Sequence, residues 1–173
     1  MNKLFSYCFI FFLIAQVSAF ACNFQISNFG DSKSKIKIEP FPVTFPDRFG
    51  GESVNIPMEA LCKDDKSLYG TMVVYLYIED KLSQVQLLRA NMNDNKLMDY
   101  AMSKYGSFNI PEGLSKNKWK GSYQWEVGND YVNYISTTIH DGNIEILEIN
   151  SKLYSNIMAD YNQKAGEWLD SQK

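Results

Sequence analysis

The run TMVVYLYI, residues 71–78, is β-branched, aromatic or large and apolar throughout. This is the composition of a strand covered on both faces, and so of an interior strand. Glu79, Asp80 and Lys81 interrupt it with three charges, and residues 82–88 resume with Val85 and Leu87 on one face and Leu82 and Leu88 on the other. The two runs predict a β-hairpin. Beyond it, Asn93 or Asp94 can offer a side-chain oxygen to the free amides of a helix start. Leu97, Ala101 and Tyr105 follow at helical spacing with Met98 and Met102 beside them, and Gly106 stands where a left-handed C-cap is usual. A helix over 94–106 is predicted. A hairpin and one helix bury too little apolar surface to stand alone, so the unit needs a partner from the rest of the chain.

A second unit of similar order supplies one. Residues 131–139 and 143–149 read as strands joined through Asp141-Gly142, a strong turn dipeptide, and a helix over 151–169 follows. Its predicted apolar stripe is Leu153, Ile157, Tyr161, Ala165, Trp168 and Leu169. Shifting the first unit by 56 positions (152 − 96) sets Lys96, Leu97, Met102 and Tyr105 on Lys152, Leu153, Met158 and Tyr161, and Tyr75 on Tyr131. An internal duplication and a chance likeness of two amphipathic helices are both compatible with that match. Residues 52–56, ended by Pro57, and the alternating segment Tyr123, Trp125, Val127 add strands. The expected fold is α+β: one domain over 22–173, with an antiparallel sheet of five or six strands and two main helices packed on one face, in two ββα halves if the duplication holds.

Residues 1–21 read as a signal peptide. Lys3 gives the positive start, 4–17 the apolar stretch, and Ala19-Phe20-Ala21 places small residues at the two positions that a signal peptidase reads. The apolar run is shorter than the roughly 20 residues of a spanning helix, so no stable membrane span is expected after cleavage. Periplasmic or secreted localisation follows. Removing Lys3 leaves 16 basic residues (17 − 1) against 20 acidic ones, a formal charge of −4. Neither nucleic acid nor an anionic lipid surface attracts such a chain. With Cys8 in the leader, Cys22 and Cys62 remain, and an exported pair reads as one disulfide. Cys22 also directly follows the cleavage site, where a lipoprotein carries its acylated cysteine, although Ala19 and Phe20 fit a lipobox poorly.

The block Phe29-Gly30-Asp31-Ser32 resembles the nucleophile block of GDSL-type esterases, which implies Ser32 as the attacking residue. Such a serine needs a histidine base and an orienting carboxylate. The single histidine is His140, Thr137 stands where that family's aspartate would be, and no long apolar strand precedes Phe29. Read on their own terms, Gly30 makes a turn and Asp31 or Ser32 caps a short helix over 32–38. The same glycine turn and cap ahead of a sheet is similar to small outer-membrane assembly lipoproteins.

Two breaker-rich segments remain. Residues 39–51 hold Pro40, Pro42 and Pro46, with Phe41, Val43, Phe45 and Phe49 expected to pin the loop onto the core. Residues 107–121 carry Lys116, Lys118 and Lys120 ahead of the aromatic segment. Trp119, Tyr123 and Trp125 with Lys118 and Lys120 are the ligand-binding candidates, as an aromatic platform for a sugar ring or peptide beside cations. The alternative is that Tyr123 and Trp125 face the core. One histidine and two committed cysteines leave no zinc-ligand set, and no phosphate-binding or dinucleotide fingerprint occurs, so no cofactor is expected. Glu145 and Glu148 fall on opposite strand faces, which a glycosidase pair cannot use. The function expected is an exported non-catalytic module that binds a protein or cell-envelope component through the sheet face or these loops. The alternatives are a serine hydrolase using Ser32 and His140, or an inhibitor of an exported enzyme.

Overall fold

The computed structural model describes residues 22–39, 42–90, 94–139 and 142–172. Residues 1–21, and with them the expected signal peptide, and also Pro40, Phe41, Asn93, His140 and Asp141 lie outside them. Among the described residues the strands are β1 (Thr44–Pro46), β2 (Gly51–Pro57), β3 (Met72–Ile78), β4 (Lys81–Ala90), β5 (Gly121–Val127), β6 (Asp130–Ile139) and β7 (Gly142–Ser151). They form one seven-stranded antiparallel sheet in the order β1-β2-β3-β4-β7-β6-β5. The helices are α1 (Met58–Leu61), α2 (Lys96–Tyr105) and α3 (Ser155–Asp170). The α+β class holds, with seven strands in place of five or six. The extra one is β1, where Thr44, Phe45 and Pro46 pair with Val54, Ser53 and Glu52. Proline is tolerated there because β1 is an edge strand, with no neighbour on its outer side to receive an amide.

The β3–β4 hairpin turns through Glu79 and Asp80 at φ of 51° and 57°, the pair of left-handed residues that a tight hairpin turn requires. Its register then slips: Leu76 pairs with Gln84 but Tyr77 with Leu82, so Ser83 is a bulge residue. Val73, Tyr75 and Tyr77 are buried on one face, together with Val85 and Leu87 of β4, Leu147 and Ile149 of β7, Val132 and Tyr134 of β6, and Trp125 of β5. This face is the core. The N-terminal segment lies under it, where the Tyr75 hydroxyl donates to the Phe24 carbonyl. Cys22 and Cys62 are paired with Cα atoms 5.5 Å apart, which fastens the same segment to the end of α1.

Helix α2 buries Leu97, Met98 and Ala101 against the core face. Of the two expected cap residues, Asn93 lies outside the described residues and the Asp94 carboxylate is held mainly by Arg89, with a further bond to the Lys96 amide. Asn95 occupies the cap position without a side-chain bond, and Glu145 of β7 instead accepts from the amides of Met98 at 3.0 Å and Leu97 at 3.4 Å. Gly106 closes the helix at φ 109°, its amide bonded to the Met102 carbonyl, as expected.

Helix α3 lies on the other face. Met158, Ala159 and Asn162 adjoin Gln84, Glu148 and Asn150, whose register sets them opposite in parity to Glu145 and Leu147. The expectation of both helices on one face therefore gives way to one helix on each. This bears on duplication. Antiparallel neighbours such as β4 and β7 exchange only by a two-fold axis normal to the sheet, which keeps both helices on the same side. The aligned tyrosines also part: Tyr75 is in the core, whereas Tyr131 shares the α3 face with Asn150. Two ββα segments do follow one another, β3–β4–α2 and β6–β7–α3, without that symmetry.

The stripe predicted for the last helix shifts as well. Residues 152–154 form a 3-10 turn, so Leu153 leaves the helix surface and is 79% exposed, while Met158 becomes the buried anchor. Among the described residues no helix is long and apolar enough to cross a membrane.

Candidate functional site

Period two in β5 puts Tyr123 and Trp125 on the core face, where they meet Tyr134 and Val132 across β6. The loop before β5 folds back over them. Phe108 lies 5.1 Å from Trp119, stacks on Tyr123 at 4.7 Å and meets Trp125 edge-on at 5.8 Å, and Trp119 stacks on Tyr134 at 5.9 Å. Both indoles are 8% exposed, and the Trp125 indole donates to the Gly106 carbonyl at 2.9 Å. Tyr123 alone reaches solvent appreciably, with one side of its ring on Phe108. The lysines diverge: Lys116 pairs with Asp99 at 2.6 Å, Lys120 bonds the Ser136 hydroxyl at 3.3 Å, and Lys118 is exposed. The five candidates share one neighbourhood, but its two indoles are core side chains.

The segment 28–36 has a structural account. Gly30 takes φ 87°, and a Cβ there would meet the Tyr154 hydroxyl at 2.0 Å, so glycine is required twice over. Its amide bonds the Leu82 carbonyl at 2.9 Å and the Asp31 carbonyl accepts from Leu82 at 2.9 Å, which joins the segment to β4. Ser32 caps a 3-10 turn, Lys33–Lys35, by accepting from the Ser34 amide, and its hydroxyl lies 2.9 Å from that of Ser34. The turn stops short of the helix over 32–38. His140 is outside the described residues, so its relation to Ser32 is not described.

In the proline-rich segment Val43 and Phe45 point to solvent at 70% and 53% exposure, contrary to the expected pinning. Asp47, Arg48 and Phe49 hold α3 instead. Asp47 accepts from the Tyr161 hydroxyl and from the amides of Phe49 and Gly51, Phe49 meets Tyr161 and Trp168, and the Arg48 guanidinium lies 4.5 Å from the Trp168 ring centre. Burial raises the Asp47 carboxyl, but these hydrogen bonds together hold it below the ordinary carboxylate range.

The largest uncommitted set of polar side chains is on the α3 face. Gln86 of β4 pairs with Glu148 of β7, Glu148 with Asn133 of β6, and Asn133 with Gln124 of β5, a straight row across four strands. Three inter-strand spacings make it about 14 Å long. Beside it runs a second row, Gln84, Asn150, Tyr131 and Glu126, nearer α3. Gln86 donates to Glu148 and Gln84 to Asn150, both at 2.8 Å, which fixes the carboxylate and one amide in orientation. Asn133 and Gln124 make no side-chain hydrogen bond among the described residues. On the far side lies an apolar row, Leu88, Ile146 and Ile135, all half-buried. Two adjoining cavities of about 320 and 430 Å³ open over the polar row and share Gln124, Asn133 and Glu148, with α3 as the wall of the first.

Apolar parity alone does not mark these residues as a set. The signal was present in the opposite parity, where Gln84 and Gln86, Ser122 and Gln124, Tyr131 and Asn133, and Glu148 and Asn150 recur at period two in four strands. Among the described residues no group of acidic, histidine or cysteine side chains has the arrangement of a metal site. No protein family matches the chain, and no curated protein or solved structure matches it with significant similarity.

Proposed function

We propose that the mature chain is an exported, non-catalytic module that binds a protein or cell-envelope component through the α3 face of its sheet. One observation carries the reading: α3 covers one end of that face and leaves beyond it a half-exposed surface, with a polar row and an apolar row side by side. A face with no recognition role needs only scattered polar residues. An ordered row spanning four strands, with two side chains held by neighbours and two uncommitted, presents donors and acceptors at fixed spacing. The net negative charge sets nucleic acid aside as the partner.

The test is site-specific photocrosslinking in the exported compartment, with the probe at Gln124 on this face and, as a control, at Lys35 on the 3-10 turn. A discrete species trapped from Gln124 and not from Lys35 supports the reading. No species from Gln124, or the same species from both positions, overturns it.

A further inference from the structure

We infer that the trough over Gln124, Asn133 and Glu148 takes a neutral saccharide. This rests on the proposal that the α3 face is the binding face, and it names the ligand class.

The chemistry of the lining selects among ligands. Neither cavity is lined by Lys, Arg or His, and the one carboxylate between them is Glu148. A phosphate, sulfate or uronate would be taken out of water beside a carboxylate with no cation in the lining, and Lys152, which lies over the lining Tyr131, is already paired with Glu126, so its binding is unfavourable. A cationic ligand would find a single carboxylate that already accepts from Gln86. A wholly apolar ligand would strip water from Gln124 and Asn133 and return no hydrogen bond, at a cost of about 1–3 kcal/mol per group. What fits is a ligand that both donates and accepts at many points without net charge. Hydroxyl groups do this, and the matching partners are side-chain amides, each of which carries an acceptor oxygen and an NH2 donor in one plane.

The geometry adds shape to this match. The row is a strip about 14 Å long, so its groups meet an extended, ring-built ligand one after another. Ile135 on one side and Ala159 of α3 on the other offer apolar surface for the C–H faces of such rings. Of the aromatic residues that suggested a sugar platform in the sequence, Trp125 of β5 and Trp119 of the loop before it are packed in the core on the reverse side, and Tyr123 reaches only the edge of the second cavity.

The experiment uses the oxidised mature chain and follows the side-chain NH2 resonances of Asn133 and Gln124 by NMR. The titrants are neutral oligosaccharides, namely linear hexamers of glucose, mannose and N-acetylglucosamine, and a galacturonate hexamer as the anionic counterpart. At least one neutral hexamer should shift both resonances in a saturable way, and Asn133→Ala should weaken it about tenfold, the loss of one well-placed hydrogen bond. Gln124→Ala at the exposed edge provides a second variant whose fold is not in question, and it should weaken the same ligand. No shift with any neutral hexamer, stronger binding of the galacturonate, or binding unchanged in both variants overturns the inference. Crosslinking from Gln124 to a protein, with no response to neutral hexamers, would remove the saccharide and keep the binding face. Silence in both experiments would remove both.

Discussion

Arg89 and Glu145 stand directly opposite each other in the β4–β7 register, 2% and 3% exposed, and each is committed to a different partner. Arg89 holds Asp94 through two parallel bonds of 2.9 and 2.8 Å and donates to the Tyr69 carbonyl, while Glu145 receives the first amides of α2 and the Tyr134 hydroxyl at 2.8 Å. Both ends of the short link from β4 to α2 are thereby fixed from the sheet: Asp94 by the arginine, the helix start by the glutamate. The Asp94 carboxyl is held below its ordinary range by its bonds to Arg89, and burial pushes Glu145 above its own.

Replacing Glu145 should separate its two roles. Glu145→Ala leaves two helix amides and a buried hydroxyl without their acceptor and should destabilise the fold by about 2–3 kcal/mol. Glu145→Gln keeps an acceptor and should lose less. Because the folded pKa lies above the ordinary 4.5, the folded chain binds the extra proton, so this group's contribution declines as pH rises from about 4.5 through the folded value. Urea midpoints measured across that window should fall in the wild type and stay flatter in Glu145→Gln. Equal slopes would reject the assignment.

Asp47 should behave with the opposite sign. Its folded pKa is depressed, so the stability it provides is complete above the ordinary value of 3.8 and is lost as the pH falls through the folded value. The protection factors of α3 amides, corrected for the intrinsic exchange rate at each pH, should therefore fall on acidification before those of the β3–β4 hairpin. In Asp47→Asn the pH dependence of α3 should be reduced. Synchronous loss of α3 and the hairpin in the wild type would show that Asp47 is not what docks the helix.

Gly51 is required by space. A Cβ there would lie 2.6 Å from both the Tyr161 ring and the Asp47 carboxylate. Gly51→Ala should push Tyr161 off the sheet and cost about 1–3 kcal/mol. The check is the thermal midpoint together with α3 amide protection. A variant as stable as the wild type, with α3 protected, would contradict this packing.

The disulfide closes a loop of 40 residues, for which chain entropy gives a stabilisation of about 4 kcal/mol. Cys62→Ser should lower the denaturant midpoint of the mature chain accordingly. An unchanged midpoint would return Cys22 to its other reading, acylation.

Shielding of the indoles gives an optical check. Trp168 on α3 is half-exposed, whereas Trp119 and Trp125 are buried. In Trp168→Phe the remaining emission should be blue-shifted and resist quenching by acrylamide. Ready quenching would mean that Phe108 does not cover them.

What was legible in the sequence is what is local. The 71–78 run, the paired strands after it, the helix expected over 94–106 and found at Lys96–Tyr105, and its closing Gly106 depend on composition and spacing within a few turns of chain. The cysteine pair was legible by elimination. Hidden were the features made by distant contacts. The cap on α2 comes from Glu145, 48 residues from Leu97, and no spacing rule links them. The side on which α3 packs follows from where its first turn begins, and the 3-10 segment before it displaces the stripe. The polar row is a property of four strands at once, so each strand alone shows only an ordinary polar parity.

Placing one helix on each side of the sheet has a consequence for how the molecule tolerates change. On β6 the even positions Val132, Tyr134 and Ser136 are sealed in the interior, while Tyr131, Asn133 and Ile135 belong to the open side. On β7 the parities are reversed, with Glu145, Leu147 and Ile149 interior. A saturation library scored separately for folding yield and for ligand retention should sort by residue parity within each strand. One set would lose folding yield, and the alternate set would lose affinity while the chain still folds. Recognition on this scaffold could then be rewritten without rebuilding the interior.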